Sequence, residues 1–276
     1  MDKLSAEKKG LDLMEQIKKP TVIAIANEKG GVAKTTSAIN IAAGLSIRGK
    51  NVLLVDIDSQ THLTNWLGFT FDGKPTVAEL IYQTVAQFPI NHNDFIRHNE
   101  KLDVDFIPAT PMLAGAVTTL HADQKDETTV FKRIFSDGFF SKYDFIIIDC
   151  CPSLDLRITN AVICSDILLI TVQADPIPYQ GTDKMLKTLL RMKPTANIGE
   201  DVLILPTMVM NIQVSRAVLD AIKTSYGTMV LPPIPFRASV KNSSAEKTVL
   251  VRRMSDDVGR AYMSVVDTLI GGENNG

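Results

Sequence analysis

Short runs of buried-type residues alternate along the chain with stretches whose apolar positions recur every three or four residues. TVIAIA (21–26) is a β-branched run followed by a glycine-rich turn, and TTSAINIAAGLSIRG (35–49) then has helical spacing and stops at Gly49. Further strand-like runs are NVLLVDID (51–58), KLDVDFIPA (101–109), YDFIIIDC (143–150), DILLITVQA (166–174) and DVLILPTMVM (201–210), and MVLPPIP (229–235) is the candidate for a last short strand. Runs this apolar predict strands covered on both faces, as in a parallel sheet between helices. The alternation predicts a doubly wound α/β fold, a mostly parallel central sheet flanked by helices. Residues 68–100 carry few strand signals and read as a loop with a short helix at Thr76–Tyr82. With no linker-like stretch and no repeat, residues 21–272 read as one domain, and residues 1–20 as a short helix or leader.

Composition narrows the classes. A chain of 276 residues that is 45% hydrophobic can bury a large core, and a net charge of −2 excludes a uniformly basic nucleic-acid binder. Cys150, Cys151 and Cys164 are odd in number and form no CxxC pair, so reduced thiols in a cytosolic protein are expected rather than disulfides. No apolar run reaches the roughly 20 residues of a membrane span. The N-terminal stretch is charged and lacks the apolar middle of a signal peptide, so the expected compartment is the cytoplasm.

The chemistry begins after the first strand. Asn27-Glu28-Lys29-Gly30-Gly31-Val32-Ala33-Lys34-Thr35-Thr36 opens the first helix. Glycines let such a loop turn its N–H groups toward phosphate oxygens, and the helix N-terminus adds partial positive charge. In this loop type the lysine, Lys34, reaches the terminal phosphates and the hydroxyl of Thr35 ligates Mg²⁺. The strict pattern G-x-x-x-x-G-K-[ST] is not met, because Glu28 and Ala33 stand at its glycine positions. If Ala33 needs a positive φ, its β-carbon costs up to about 1–2 kcal/mol. Two acid-bearing strand ends accompany the loop: Val55-Asp56-Ile57-Asp58-Ser59-Gln60, and Phe145-Ile146-Ile147-Ile148-Asp149, four apolar residues and then an acid. Carboxyl ends of parallel strands are where such sheets bind ligands.

The segment K-G-G-x-x-K-T-T resembles the deviant Walker A motif of the ParA/MinD family of P-loop NTPases, with Lys29 matching the family's signature lysine. Residues 56–60 resemble its D-x-D-P-Q switch with Ser59 in place of proline, and residues 149–153 its D-x-P-P-S switch with Cys151 in place of one proline. The resemblance covers about residues 20–270. It implies an ATP and Mg²⁺ site in which Gly30, Gly31, Val32, Ala33, Lys34, Thr35 and Thr36 cradle the phosphates. Lys29 reaches across an ATP-bound homodimer, Asp58 orients the attacking water, and Asp56 and Asp149 serve the metal's surroundings alongside Thr35. Met208, Pro235 and Phe236 fall where the family builds its adenine pocket.

Three branches of that family differ in partners. The chain's last residues hold one basic position, Arg260, unlike the cationic membrane helix of MinD-like proteins, so no membrane contact is expected. The nitrogenase iron protein needs two separated cysteines per subunit, and here all three follow Asp149 or stand beside it. ParA proteins bind DNA non-specifically, and residues 211–260 carry eight Lys/Arg against four acids. Arg216, Lys223, Arg237, Lys241, Lys247, Arg252 and Arg253 are therefore the candidate DNA contacts. The reading is a slow ParA-like ATPase that partitions plasmid or chromosomal DNA with a ParB-like partner on the nucleoid. Its alternatives are an ATP-dependent dimeric switch or scaffold that hardly hydrolyses, positioning of a protein cargo, and a metabolic P-loop ligase or synthetase.

Overall fold

A computed structural model describes residues 18–175, 181–193, 201–240 and 246–273. The chain runs β1 (Thr21–Ala26), α1 (Lys34–Ile47), β2 (Val52–Asp56), α2 (His62–Trp66), α3 (Val77–Val85), β3 (Arg97–Asn99), β4 (Val104–Ile107), α4 (Ala116–His121) and α5 (Val130–Phe135). It continues through β5 (Phe145–Asp149), α6 (Leu156–Cys164), β6 (Ile167–Gln173), α7 (Thr182–Met192), β7 (Val202–Thr207), α8 (Gln213–Tyr226) and α9 (Asp257–Glu273). Among the described residues the strands form one seven-stranded sheet in the order β3-β4-β2-β5-β1-β6-β7. All neighbours pair in parallel except β3 and β4.

Alternation along β1 feeds two cores. Val22, Ala24 and Ala26 enter one cluster, with α3 to α8 over it, and Ile23 and Ile25 enter the other, under α1 and α9. Both faces are covered, which is why the strands are apolar without interruption. Gly44 of α1 is where α9 comes closest: a β-carbon there would lie 2.6 Å from the Val266 Cγ2 methyl. Ser37 of α1 and Tyr262 of α9 share a hydrogen bond of 3.1 Å across the same interface.

The observed elements depart from the sequence expectations at particular places. The run at 229–235 forms no strand and makes only isolated bridges, Ile204 with Val230 and Val209 with Pro235. Pro232, Pro233 and Pro235 lack the N–H groups a ladder needs. β7 ends at Thr207, three residues short of the run, because Met208 turns to φ 54°. The helix at 76 starts at Val77 and runs to Val85, with Thr76 as its N-cap in a reciprocal pair with Glu79. Strand β3, Arg-His-Asn, lies within 68–100 and carries no apolar signal. Arg97 anchors this edge strand by bonds to Asp72 and to the carbonyls of Pro75 and Asp94. The proposed helix or leader at 1–20 falls mostly outside the described residues. Lys18 and Lys19 enter the sheet beside ion-pair partners Asp144 and Asp166.

Candidate functional site

The strand order puts β5 between β2 and β1, so three strand ends meet at one crevice. Asp56 and Asp149 are register partners on adjacent strands, and Ile25 of β1 pairs with Asp149 on the other side. The loop after β1 is tied down at its start. Asn27 donates through Nδ2 to the Thr171 carbonyl of β6 at 2.6 Å and accepts from the Lys29 N–H at 2.8 Å. Gly31 has φ 76°, a conformation that needs no β-carbon, and Ala33 has φ 66° and ψ 27°. The position the sequence marks as anomalous is therefore left-handed, and alanine is strained there. Replacing Ala33 with glycine relieves about 1–2 kcal/mol of strain and gives back about 0.4–1 kcal/mol in unfolded-chain entropy. The expected result of A33G is a gain of about 0.5–1 kcal/mol in a urea titration, and a loss would show that the loop does not hold φ positive in solution.

Lys34 is buried, and its Nζ donates to the Lys29 carbonyl at 2.9 Å. Burial holds its pKa below the usual lysine value, against the opposing pull of Asp149. The Thr35 hydroxyl donates to Asp149 Oδ2 at 2.7 Å, while Asp149 Oδ1 is buried without a hydrogen-bond partner. Burial pushes the Asp149 carboxyl well above the ordinary range, and the neighbouring Asp56 adds to this. Asp56 is raised by burial too, although Asp58 N–H donates to one oxygen and Thr64 N–H and hydroxyl to the other. Asp56 is thus engaged in holding the turn after β2, and Thr64 passes the connection on by accepting from the Ala109 N–H at 2.9 Å. Asp58 is half-buried and accepts from the Gln60 N–H at 3.0 Å.

These groups border a cleft of about 550 Å³ lined by Gly30, Gly31, Ala33, Lys34, Thr35, Thr36 and Asp58, with Met208 and Lys247 at its rim. Its far wall comes from α2, where His62, Asn65 and Trp66 face in, and from Pro152 after β5. The sequence reading did not select the three α2 residues, although Pro152 falls in its 149–153 switch; the spacing His-x-x-Asn-Trp directly after the Asp58 turn is the signal that was available. Lys29 and Val32 belong to the same loop without lining the cleft. Of the three adenine candidates, Met208 lines the cleft and Pro235 and Phe236 do not, among the described residues. They run alongside the end of β7, with Phe236 N–H donating to the Val209 carbonyl at 2.9 Å.

The basic candidates divide between the two layers. Arg216 and Lys223 sit on α8, whose Val218 and Ile222 pack into the first core. Arg252 and Arg253 directly follow a segment, Val249–Val251, that packs into the second. Arg237 is paired with Asp257, and Arg253 lies 3.6 Å from Glu246. Lys247 is at the cleft and Lys241 lies outside the described residues.

A left-handed glycine turn between a central buried strand and a helix, with two buried carboxylates on the adjoining strand ends, defines a P-loop nucleotide-binding α/β protein. A family model described as an AAA domain matches residues 20–202. The chain belongs to that family and, within the P-loop proteins, to the ParA family of the ParA/MinD superfamily. It is 38% identical over 168 residues to the sporulation initiation inhibitor protein Soj of Bacillus subtilis, covering 61% of this chain and 64% of that protein. It is 34% identical over 177 residues to the chromosome partitioning protein ParA of Myxococcus xanthus, covering 64% of this chain and 60% of that protein. The chain thus spans less than two thirds of the length of these relatives. Among solved structures, a cobyrinic acid a,c-diamide synthase from Mycobacterium smegmatis with bound ATP analogue and magnesium superposes with a TM-score of 0.74 at 29% identity, over 91% of this chain and 94% of that one. A plasmid partition protein from Borrelia burgdorferi bound to AMPPNP shares the fold, with a TM-score of 0.73 at 24% identity over 92% and 99% of the two chains.

Proposed function

We propose that this chain is a ParA-like ATPase that binds ATP with Mg²⁺, dimerises in that state, and binds DNA non-specifically in the nucleoid until a ParB-like partner stimulates hydrolysis. The observation that carries the reading is the floor of the cleft. The Thr35 hydroxyl rests on Asp149, whose second oxygen is buried and unpartnered. A hard cation suits that hydroxyl and that bare carboxylate oxygen. Thr35 and Asp149 would hold Mg²⁺ there, with Asp56 supporting its surroundings, and the ion would neutralise phosphate charge. Lys34 and the loop N–H groups would bind the terminal phosphates, Asp58 would orient water, and Lys29 would act on the partner's nucleotide. The names of the Soj and ParA relatives, and the ATP analogue and magnesium bound in the synthase structure, support the same reading.

The test is phosphate release by the purified chain with Mg²⁺ and ATP, with and without duplex DNA and a ParB-like partner. Slow turnover raised by DNA and a partner is expected. No turnover with tight nucleotide-dependent dimerisation would favour the switch reading, for which the strained Ala33 is the specific observation.

The DNA arm of the reading has its own test. Arg252→Ala/Arg253→Ala should weaken binding to duplex DNA about 10-fold at moderate salt and reduce the log–log salt slope by about 1–2. Arg216→Ala/Lys223→Ala, on the opposite layer, serves as the comparison. An unchanged slope in the first variant moves the DNA face off the segment before α9.

A further inference from the structure

The second switch ends in a side-chain cluster that the nucleotide reading leaves unused. Asp155 caps α6, its Oδ1 accepting from the Arg157 N–H at 2.9 Å. The same carboxylate grips the Arg157 guanidinium from one side: Nε donates to Oδ1 at 3.1 Å and Nη2 to Oδ2 at 2.6 Å. Nη2 also donates to Ser153 Oγ at 3.2 Å, and Ser153 Oγ in turn donates to Asp155 Oδ2 at 2.7 Å and lies 3.2 Å from Cys151 Sγ. The guanidinium plane is therefore fixed, as bidentate arginine–carboxylate pairs are.

Nη1 is the remainder. Arg157 is 7% exposed, and Nη1 is buried without a hydrogen-bond partner among the described residues. A buried charged group with unpaired N–H bonds is unstable by roughly 1–3 kcal/mol or more, so such a group marks a site that another group completes. The loop that Arg157 braces carries Pro152, which lines the same cleft as Asp58. The Asp58 carboxylate also favours the charged guanidinium, as Asp155 does more strongly.

We propose that Arg157 is a positioning residue for hydrolysis: its fixed Nη1 donates to the Asp58 carboxylate in the nucleotide-loaded protein and sets the angle at which that carboxylate holds the attacking water. This rests on the ATPase reading of the cleft. It gives the switch after β5 a side-chain route to the switch after β2, beside the backbone bond in which the Ile57 N–H donates to the Asp149 carbonyl at 3.1 Å. Arg157 touches neither nucleotide nor water, so its loss acts on the rate of the chemical step and leaves nucleotide affinity alone.

The experiment compares wild type, Lys34→Ala, Arg157→Gln and Arg157→Lys. Each is measured for binding of a non-hydrolysable ATP analogue, single-turnover phosphate release with Mg²⁺, and melting temperature, with and without millimolar guanidinium chloride. Arg157→Gln should bind the analogue within about 3-fold of wild type while releasing phosphate about 10- to 100-fold more slowly, the scale of a misplaced reacting group. Guanidinium should recover part of that rate, and Arg157→Lys, which keeps the charge but not the planar fork, should fall between. Wild-type rates in Arg157→Gln overturn the proposal. So does a parallel fall in analogue affinity, melting temperature and rate with no guanidinium recovery, which is the behaviour of a purely structural brace. If Arg157→Gln does not fold, Arg157→Lys decides: an undiminished rate overturns the role, and a reduced rate with intact analogue binding supports it. Wild-type turnover that is absent or survives Lys34→Ala brings down the reading of the cleft itself, whereas Lys34-dependent turnover untouched by Arg157→Gln brings down only the role of Arg157.

Discussion

Replacing Asn40 with leucine should lower the unfolding free energy by about 2–5 kcal/mol, since each buried N–H left unpaired costs about 1–3 kcal/mol. Asn40 is 2% exposed, on the face of α1 that turns away from the sheet's first core. Its Oδ1 accepts from the backbone N–H groups of Leu250 and Val251 at 2.9 and 3.0 Å, and its Nδ2 donates to the Thr36 carbonyl at 2.8 Å. One amide thus joins the phosphate-loop helix to a segment more than two hundred positions away, where no strand ladder could serve those two donors. Leucine matches the volume and removes the acceptor, so a cavity contributes little and the loss reports the orphaned N–H groups. Guanidinium titration with linear extrapolation measures it. A loss below about 1 kcal/mol would mean that the segment swings out and finds water.

The second large effect belongs to Lys34. Lys34→Ala should reduce ATP turnover by about 10²–10³-fold, the scale of removing one preorganised donor from a developing negative charge. The lysine is held ready by the Lys29 carbonyl and is partly desolvated, which makes its charge stronger toward phosphate than an exposed lysine's. Stability should change little, because deleting a buried ammonium removes its desolvation penalty along with its attraction to Asp149. Phosphate release and thermal melting, taken together, check both halves. Turnover that survives the substitution would end the proposed mechanism.

The central strands and the meeting of Lys34, Thr35 and Asp149 were legible in the sequence because each is fixed by contiguous chemistry. An apolar run between helices has few ways to be buried, and a loop that turns its N–H groups inward needs a glycine such as Gly31, at φ 76°. Strand β3 was not legible, since Arg97, His98 and Asn99 are strand-forming only through bonds to Asp72, Pro75, Asp94 and Leu67. The run at 229–235 looked like a strand to a hydrophobicity count that ignores missing N–H groups. Pro235 and Phe236 were read by position, and backbone pairing with the end of β7 carried them past the cleft. The basic residues were counted along 211–260, and proximity in sequence says nothing about which side of a sheet a side chain takes. Arg157 carried no motif, and its character comes from Ser153 and Asp155 folding around it.

The bond between Thr35 and Asp149 spans 114 positions of sequence, and the bond that fixes Asn27 to Thr171 spans 144. The phosphate loop is translated early, yet its floor and its anchor come from strands made much later. On the ribosome, nucleotide therefore cannot template the first half of the chain, and a truncated product lacking β5 and β6 should not be rescued by ATP. Long-range closure of this kind slows folding and leaves the apolar β1 and β2 without their partner strand β5 while synthesis proceeds. The nascent chain is most in need of a chaperone over that interval.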